Sequence, residues 1–133
     1  MSPTPEYLLL FRGTHWHKGL SPAEIQKVMS RWTAWFNDLR AQGKMKNGLP
    51  LMTEGKIVHG ANGRFVTDGP FAESKEAIGG YFLITASNLE EAVSIAKQCP
   101  GLEHGAVVEV RPVASDCMAA DEAREIEGTY ASA

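Results

Sequence analysis

The chain has little sulfur chemistry. Its two cysteines, Cys99 and Cys117, stand in no metal-binding or redox spacing. They read as free, reduced thiols, which excludes a small disulfide-stapled secreted domain. Long apolar runs are missing as well; none approaches the ~20 residues that cross a bilayer. The opening MSPTPEYLLLFRG has no basic segment ahead of its short apolar run, so neither a membrane nor a secreted protein is expected, and a cytoplasmic location is. Basic clusters are also scarce. The 13 Lys and Arg face 16 Asp and Glu, and residues 1–113 are nearly neutral. A nucleic-acid binder would carry a basic patch or stripe. No nucleophile elbow, phosphate loop or dinucleotide fingerprint is present.

What is there is one domain. With 133 residues, 44% of them apolar and 22% charged, the chain can close a single core and has no room for two. The acids gather late: residues 114–133 carry Asp116, Asp121, Glu122, Glu125 and Glu127 against Arg124. The expected division is a folded domain over residues 1–113 and an acidic polar C-terminal tail over residues 114–133, with at most a short helix.

Tyr7 to Arg12 is a short apolar run bounded by turn signals, with Tyr7, Leu9 and Phe11 on one face and Leu8, Leu10 and Arg12 on the other. Both faces are largely apolar, as in a central strand covered on two sides. Ser21 then caps a helix, Pro22 occupies its first position and Glu24 completes a capping box. Ile25, Val28, Met29, Trp32, Trp35, Phe36 and Leu39 recur at three- and four-residue steps, and Gly43 stops the run. The tryptophans of this stripe read as core. Gly48 to Gly55 is irregular, and Pro50 argues against a central strand there. Asn62-Gly63 predicts a two-residue type I′ turn between Lys56–Ala61 and Arg64–Thr67.

Ile78 to Ala86 is a second strand that is apolar on both faces. Asn88 caps a second helix with Leu89, Ala92, Val93, Ile95 and Ala96 facing inward, ended by Pro100-Gly101. Val107 to Val113 is the last strand, with Val108 and Val110 on one face and Val107, Glu109, Arg111 and Val113 on the other. This order predicts an α+β fold, the ferredoxin-like split βαβ arrangement with two helices on one face of an antiparallel sheet. The second apolar face needs a cover of its own. The same face of a second subunit supplies one, which predicts a homodimer packed sheet on sheet.

The run Val66-Thr67-Asp68-Gly69-Pro70-Phe71-Ala72-Glu73-Ser74-Lys75-Glu76, followed by Ile78-Gly79-Gly80-Tyr81, resembles the DGPF branch of the YCII-related family. Leu8–Gly13, Cys99-Pro100 and Val108–Val113 extend the resemblance over roughly residues 6–113. The resemblance implies a dimeric α/β barrel of ferredoxin-like subunits, no bound cofactor and no agreed activity. It also implies a bacterial cytoplasmic setting, with related domains beside sigma factors. His15-Trp16-His17 and the tail beyond Val113 lie outside the resemblance.

Several side chains could carry chemistry. Asp68 sits where Asp-Gly makes a turn, and it reads either as a turn-forming hydrogen-bond acceptor or as a carboxylate held at the mouth of a site. As a site residue it would be the base or its orienter, with Phe71 as an apolar wall. Arg111, beside Glu109, suits an anionic ligand because its fork grips two oxygens, and Arg12 and Tyr81 join it as candidate substrate-binding residues. His15 is the candidate partner for Asp68 in acid–base work. His15 and His17 form no metal site without a third ligand, so none is expected. His59 and His104 read as surface residues.

Three functions follow. One is a cofactor-free acid–base enzyme, an isomerase, lyase or dehydrochlorinase acting on a small anionic or aromatic substrate in the dimer cleft. Another is a non-catalytic ligand-binding or accessory module linked to bacterial transcription regulation. The third, by analogy of fold alone, is a cofactor-free monooxygenase.

Overall fold

The structure is a computed structural model and describes residues 4–13, 15–70 and 77–114. In chain order the elements are β1 (Glu6–Arg12), α1 (Pro22–Ala41), β2 (Met45–Pro50), β3 (Lys56–His59), β4 (Phe65–Asp68), β5 (Ile78–Thr85), α2 (Leu89–Ala96) and β6 (Val107–Pro112). Four of them form one sheet in the order β2-β5-β1-β6, and every pair in it is antiparallel. The two strands joined through each helix are therefore not neighbours but flank a third strand, β5 between β1 and β2 and β1 between β5 and β6, which is the ferredoxin-like split βαβ topology. Strands β3 and β4 form a separate two-stranded ribbon.

The alternation of β1 decides where the core lies. Tyr7, Leu9 and Phe11 are buried, and they pack with Trp35 and Leu39 of α1, Phe82 and Ile84 of β5, and Ala92, Ile95 and Ala96 of α2. Leu9, Leu39 and Ile84 are fully enclosed, and truncating such a side chain to Ala typically costs about 2–5 kcal/mol. The intervening residues face away from both helices. Leu10 stands opposite Tyr81 and Glu109, and Leu8 opposite Leu83 and Arg111. Leu8, Leu10, Tyr81 and Leu83 are half-buried on this open face.

Helix α1 begins with the full capping box: Ser21 Oγ accepts the Glu24 N–H at 3.2 Å, and the Ser21 N–H donates to Glu24 Oε1 at 3.2 Å. It ends before Gly43, which takes a left-handed φ of 73°. Asn88 caps α2, its side-chain oxygen accepting the Glu91 N–H at 2.8 Å.

The structure departs from the sequence expectations in four places. Strand β2 begins at Met45, ahead of the irregular stretch, and Pro50 ends it on an edge of the sheet, where a missing N–H is tolerated. The hairpin forms, but its loop has five residues. His59 pairs with Phe65, and the Gly63 N–H closes the loop onto the Gly60 carbonyl at 3.0 Å. Asn62 and Gly63 do adopt positive φ, at 61° and 65°, yet Gly60 at 85° joins the turn and moves the register by one residue from a two-residue turn. Helix α2 is two turns long and stops at Ala96, and its Leu89 and Val93 are exposed because they lie off the strip that meets β1 and β6. Finally, the ribbon stands away from the core: Ile57, Val58, Phe65 and Val66 are all exposed. The expectations for Phe71, Lys75, Glu76, Cys117 and the acidic tail fall outside the described residues.

Candidate active site

Strand alternation brings Gly48, Gly80 and Phe82 to the helix-facing side of the sheet, since Gly48 pairs with Phe82, and Gly80 pairs with Phe11. Two adjacent strands thus present hydrogen where a core would put side chains. Opposite that gap, α1 hangs Met29, Trp32, Thr33 and Phe36, and a cavity of about 310 Å³ opens between them. This is at the lower end of the size range of small-molecule sites. The glycines are fixed by space. A Cβ on Gly48 would come within 2.6 Å of the Phe82 ring and 2.9 Å of the Tyr81 carbonyl oxygen. One on Gly80 would meet the Leu49 carbonyl oxygen at 3.0 Å.

The cavity walls are aromatic. Phe11 meets Trp32 edge to face at 5.0 Å and Phe82 at 4.8 Å, and Phe36 meets Phe82 at 5.4 Å. Trp16 closes one side, stacked on Trp32 at 6.2 Å with 29° between the planes. It reaches that position through consecutive tight turns after β1, in which the N–H groups of Trp16, Lys18 and Leu20 donate to the carbonyls of Gly13, His15 and His17. Gly13 starts the series with φ 74°, and a Cβ there would lie 3.0 Å from the Gly105 carbonyl oxygen, so the residue suits both the angle and the close approach.

Among the described residues lining the cavity, Arg12 at its rim carries the only ionisable side chain. Its Nη2 lies 2.5 Å from Glu109 Oε1, and Arg111 Nε lies 3.8 Å from Glu109 Oε2. One carboxylate thus stands between two guanidinium groups.

The residues singled out from the sequence fall in three places. Arg12 lines the cavity edge at the end of β1 while its guanidinium reaches Glu109, which lies with Tyr81 and Arg111 on the opposite, open face of the sheet. Asp68 ends β4, is largely exposed and pairs with Lys56. Gly69 follows with φ 140°, and its N–H donates to the Gly55 carbonyl at 3.1 Å, which carries the ribbon pairing one residue past Asp68; the expected Asp-Gly turn runs on into residues 71–76, outside the described residues. His15 is exposed, its ring 6.1 Å from that of His17. Direct contact between His15 and Asp68 is not part of the arrangement; Trp16 connects their surroundings instead. The indole also lines a groove of about 390 Å³ that runs along Leu51–Lys56 to Gly69 and Pro70. His104, expected at the surface, is half-buried 6.4 Å from Trp16.

The cavity itself escaped sequence reasoning, which assigned Trp32 and Phe36 to the core and left Gly48 and Gly80 without a role. The available signal was glycine inside a strand, which marks a close approach or a missing side chain.

With this geometry in place, comparison with known proteins adds a lineage. The chain matches the YCII-related domain over residues 7–115. It belongs to the YCII-related domain family. An uncharacterized protein of Rhizobium meliloti (strain 1021) is 34% identical over 73 residues, a stretch covering 54% of this chain and 59% of that protein. The chain therefore spans less than two thirds of that relative's length. The crystal structure of At3g17210 from Arabidopsis thaliana aligns with 85% of this chain and 97% of its own, at 16% identity and a TM-score of 0.32. As a YCII-related domain the chain keeps its cavity on the helix side, away from the open sheet face where a dimer cleft was expected.

Proposed function

We propose that this YCII-related domain binds a small, flat, largely apolar molecule in the cavity between α1 and the sheet. The observation that carries this reading is the aromatic enclosure of about 310 Å³ over Gly48 and Gly80. Rings gain from offset and edge-to-face contacts with such walls beyond the area they bury. The domain works as a homodimer in this reading, with Leu8, Leu10, Tyr81 and Leu83 covered by the same face of a second chain. An exposed apolar face of that kind otherwise promotes association.

Titration calorimetry with 2-naphthol tests the binding. Saturable one-to-one binding to the wild type, lost in Met29→Trp, supports the cavity. Met29 is 46% exposed at the cavity mouth, so the larger ring can block the entrance without entering the core. The absence of saturable heat, or unchanged binding in Met29→Trp, refutes the reading.

A second reading, a cofactor-free acid–base enzyme of isomerase, lyase or dehydrochlorinase type, draws support from one observation. Trp16 stands between His15 and His17 in sequence and lines both the cavity and the groove that reaches Gly69 and Pro70. His15 and Asp68 would then act on a ligand edge that emerges from the cavity. The DGPF branch within the family fits this reading, since Gly69 and Pro70, next to Asp68 in sequence, line the end of the groove. In the accessory-module alternative, the same cavity serves regulation without turnover.

A further inference from the structure

The cavity and the groove beside it share two residues, Trp16 and Gly79. Their chemistry differs. The cavity is walled by rings, whereas the groove continues past Leu51 and Met52 to Thr53, Glu54 and Lys56, beside Gly69 and Pro70. The Lys56 charge is already met by Asp68, so the groove offers an anionic chain little unmatched countercharge from that lysine. Hydroxyl and carboxylate groups at Thr53 and Glu54 can still accept hydrogen bonds. Trp16 therefore stands between a ring-shaped space and an elongated polar one.

We infer that Trp16 is a specificity-determining partition, and that the ligand joins an aromatic ring to a flexible, uncharged, hydroxyl-bearing chain. The ring occupies the cavity and stacks on one side of the indole; the chain passes the indole and lies in the groove. This rests on the cavity reading above and adds the second half of the ligand. Such a ligand gains affinity from two neighbouring spaces through a single molecule. A compact ring of the same kind fills only the first.

Calorimetry with two compounds tests the inference: 2-naphthol, and 2-naphthol carrying a triethylene glycol chain through its oxygen. The glycol ether should bind the wild type about tenfold more tightly, a ratio worth one good set of polar and apolar contacts. Thr53 is exposed in the groove, and Thr53→Trp should erase that advantage while leaving 2-naphthol unchanged. Trp16→Ala should weaken 2-naphthol by about tenfold, as loss of a stacking wall does, and the ether by more, since its chain also passes the indole. Trp16→Phe keeps a ring in place and should preserve the ranking. If 2-naphthol binds and the ether gains nothing, or Trp16→Ala changes both compounds by the same factor, this inference alone is overturned. If neither compound binds the wild type, the cavity reading falls and takes the inference with it.

Discussion

Gly48→Ala is the sharpest test of how the cavity is made. Alanine normally improves a strand over glycine, by roughly 0.5–1 kcal/mol, because it restricts the unfolded chain. At this position the new methyl would stand 2.6 Å from Phe82 Cδ1 and 2.9 Å from the Tyr81 carbonyl oxygen. Neither neighbour yields cheaply. The oxygen belongs to the backbone of β5, and the Phe82 ring is held by Phe11, Trp35 and Phe36 at 4.8, 4.9 and 5.4 Å. Overpacking of this kind costs about 1–3 kcal/mol, which outweighs the gain and leaves a net loss of roughly 1–2 kcal/mol. For a domain of this size the melting temperature should fall by roughly 4–8 °C. Gly43→Ala is the control: no atom lies within 4 Å of its added Cβ, and its φ of +73° alone should cost about 1 kcal/mol. Differential scanning calorimetry of both variants reads the comparison. A Gly48→Ala protein as stable as the wild type would refute the claim that Gly48 is fixed by the Phe82 ring, and with it the account of the cavity floor.

Further expectations can be checked on the same protein. Asp68→Asn should cost no more than about 1 kcal/mol in a denaturant melt, because Asp68 and Lys56 expose 72% and 68% of their side chains and exposed pairs contribute little. It should also leave 2-naphthol affinity unchanged; a sharp loss would favour the acid–base reading. Hydrogen bonds from Ser21 hold the Glu24 carboxyl below its ordinary range, and those from Ser87 and Lys44 do the same for Glu91. Their stabilisation is therefore present above the ordinary carboxylate range and lost as the pH falls through the lowered values. Acid melts should show a fall that the double variant Glu24→Gln, Glu91→Gln flattens. Burial pushes the Cys99 thiol up, so iodoacetamide should label it slowly in the native protein and quickly in guanidinium chloride. Fast native labelling of Cys99, located by mass spectrometry, would count against the packing of α2.

The frame was legible because its signals are local. Ser21 with Glu24, Asn88 with Glu91, and the alternation of Tyr7, Leu9 and Phe11 each act within a few residues, and each reappears in the fold. The cavity depends on information that no window contains. Gly48 and Gly80 share a void only after β2 and β5 pair in one register, and Trp16 reaches it only through the turns after Gly13. The hairpin shows the same division at smaller scale. Asn62 and Gly63 took the positive φ angles their types favour, but Gly60 joined them and lengthened the loop. For Tyr81 and Arg111, the expected pairing of faces held, with both on the open side of the sheet. What the sequence expectations did not include was the cavity on the other side, between α1 and the sheet.

The central position of β1 also sets the order in which the protein can be made. Residues 6–12 leave the ribosome long before either neighbour, since their partners lie at residues 78–85 and 107–112. At about 5–20 residues per second, the first partner follows only after several seconds. Throughout that interval Tyr7-Leu8-Leu9-Leu10-Phe11 is a β-prone apolar segment with both hydrogen-bonding edges open. Neither helix can shield it, because α1 buries its own stripe against a sheet that does not yet exist. The yield of folded chains is thereby tied to translation speed and to whatever holds nascent segments apart, independently of how stable the finished domain is.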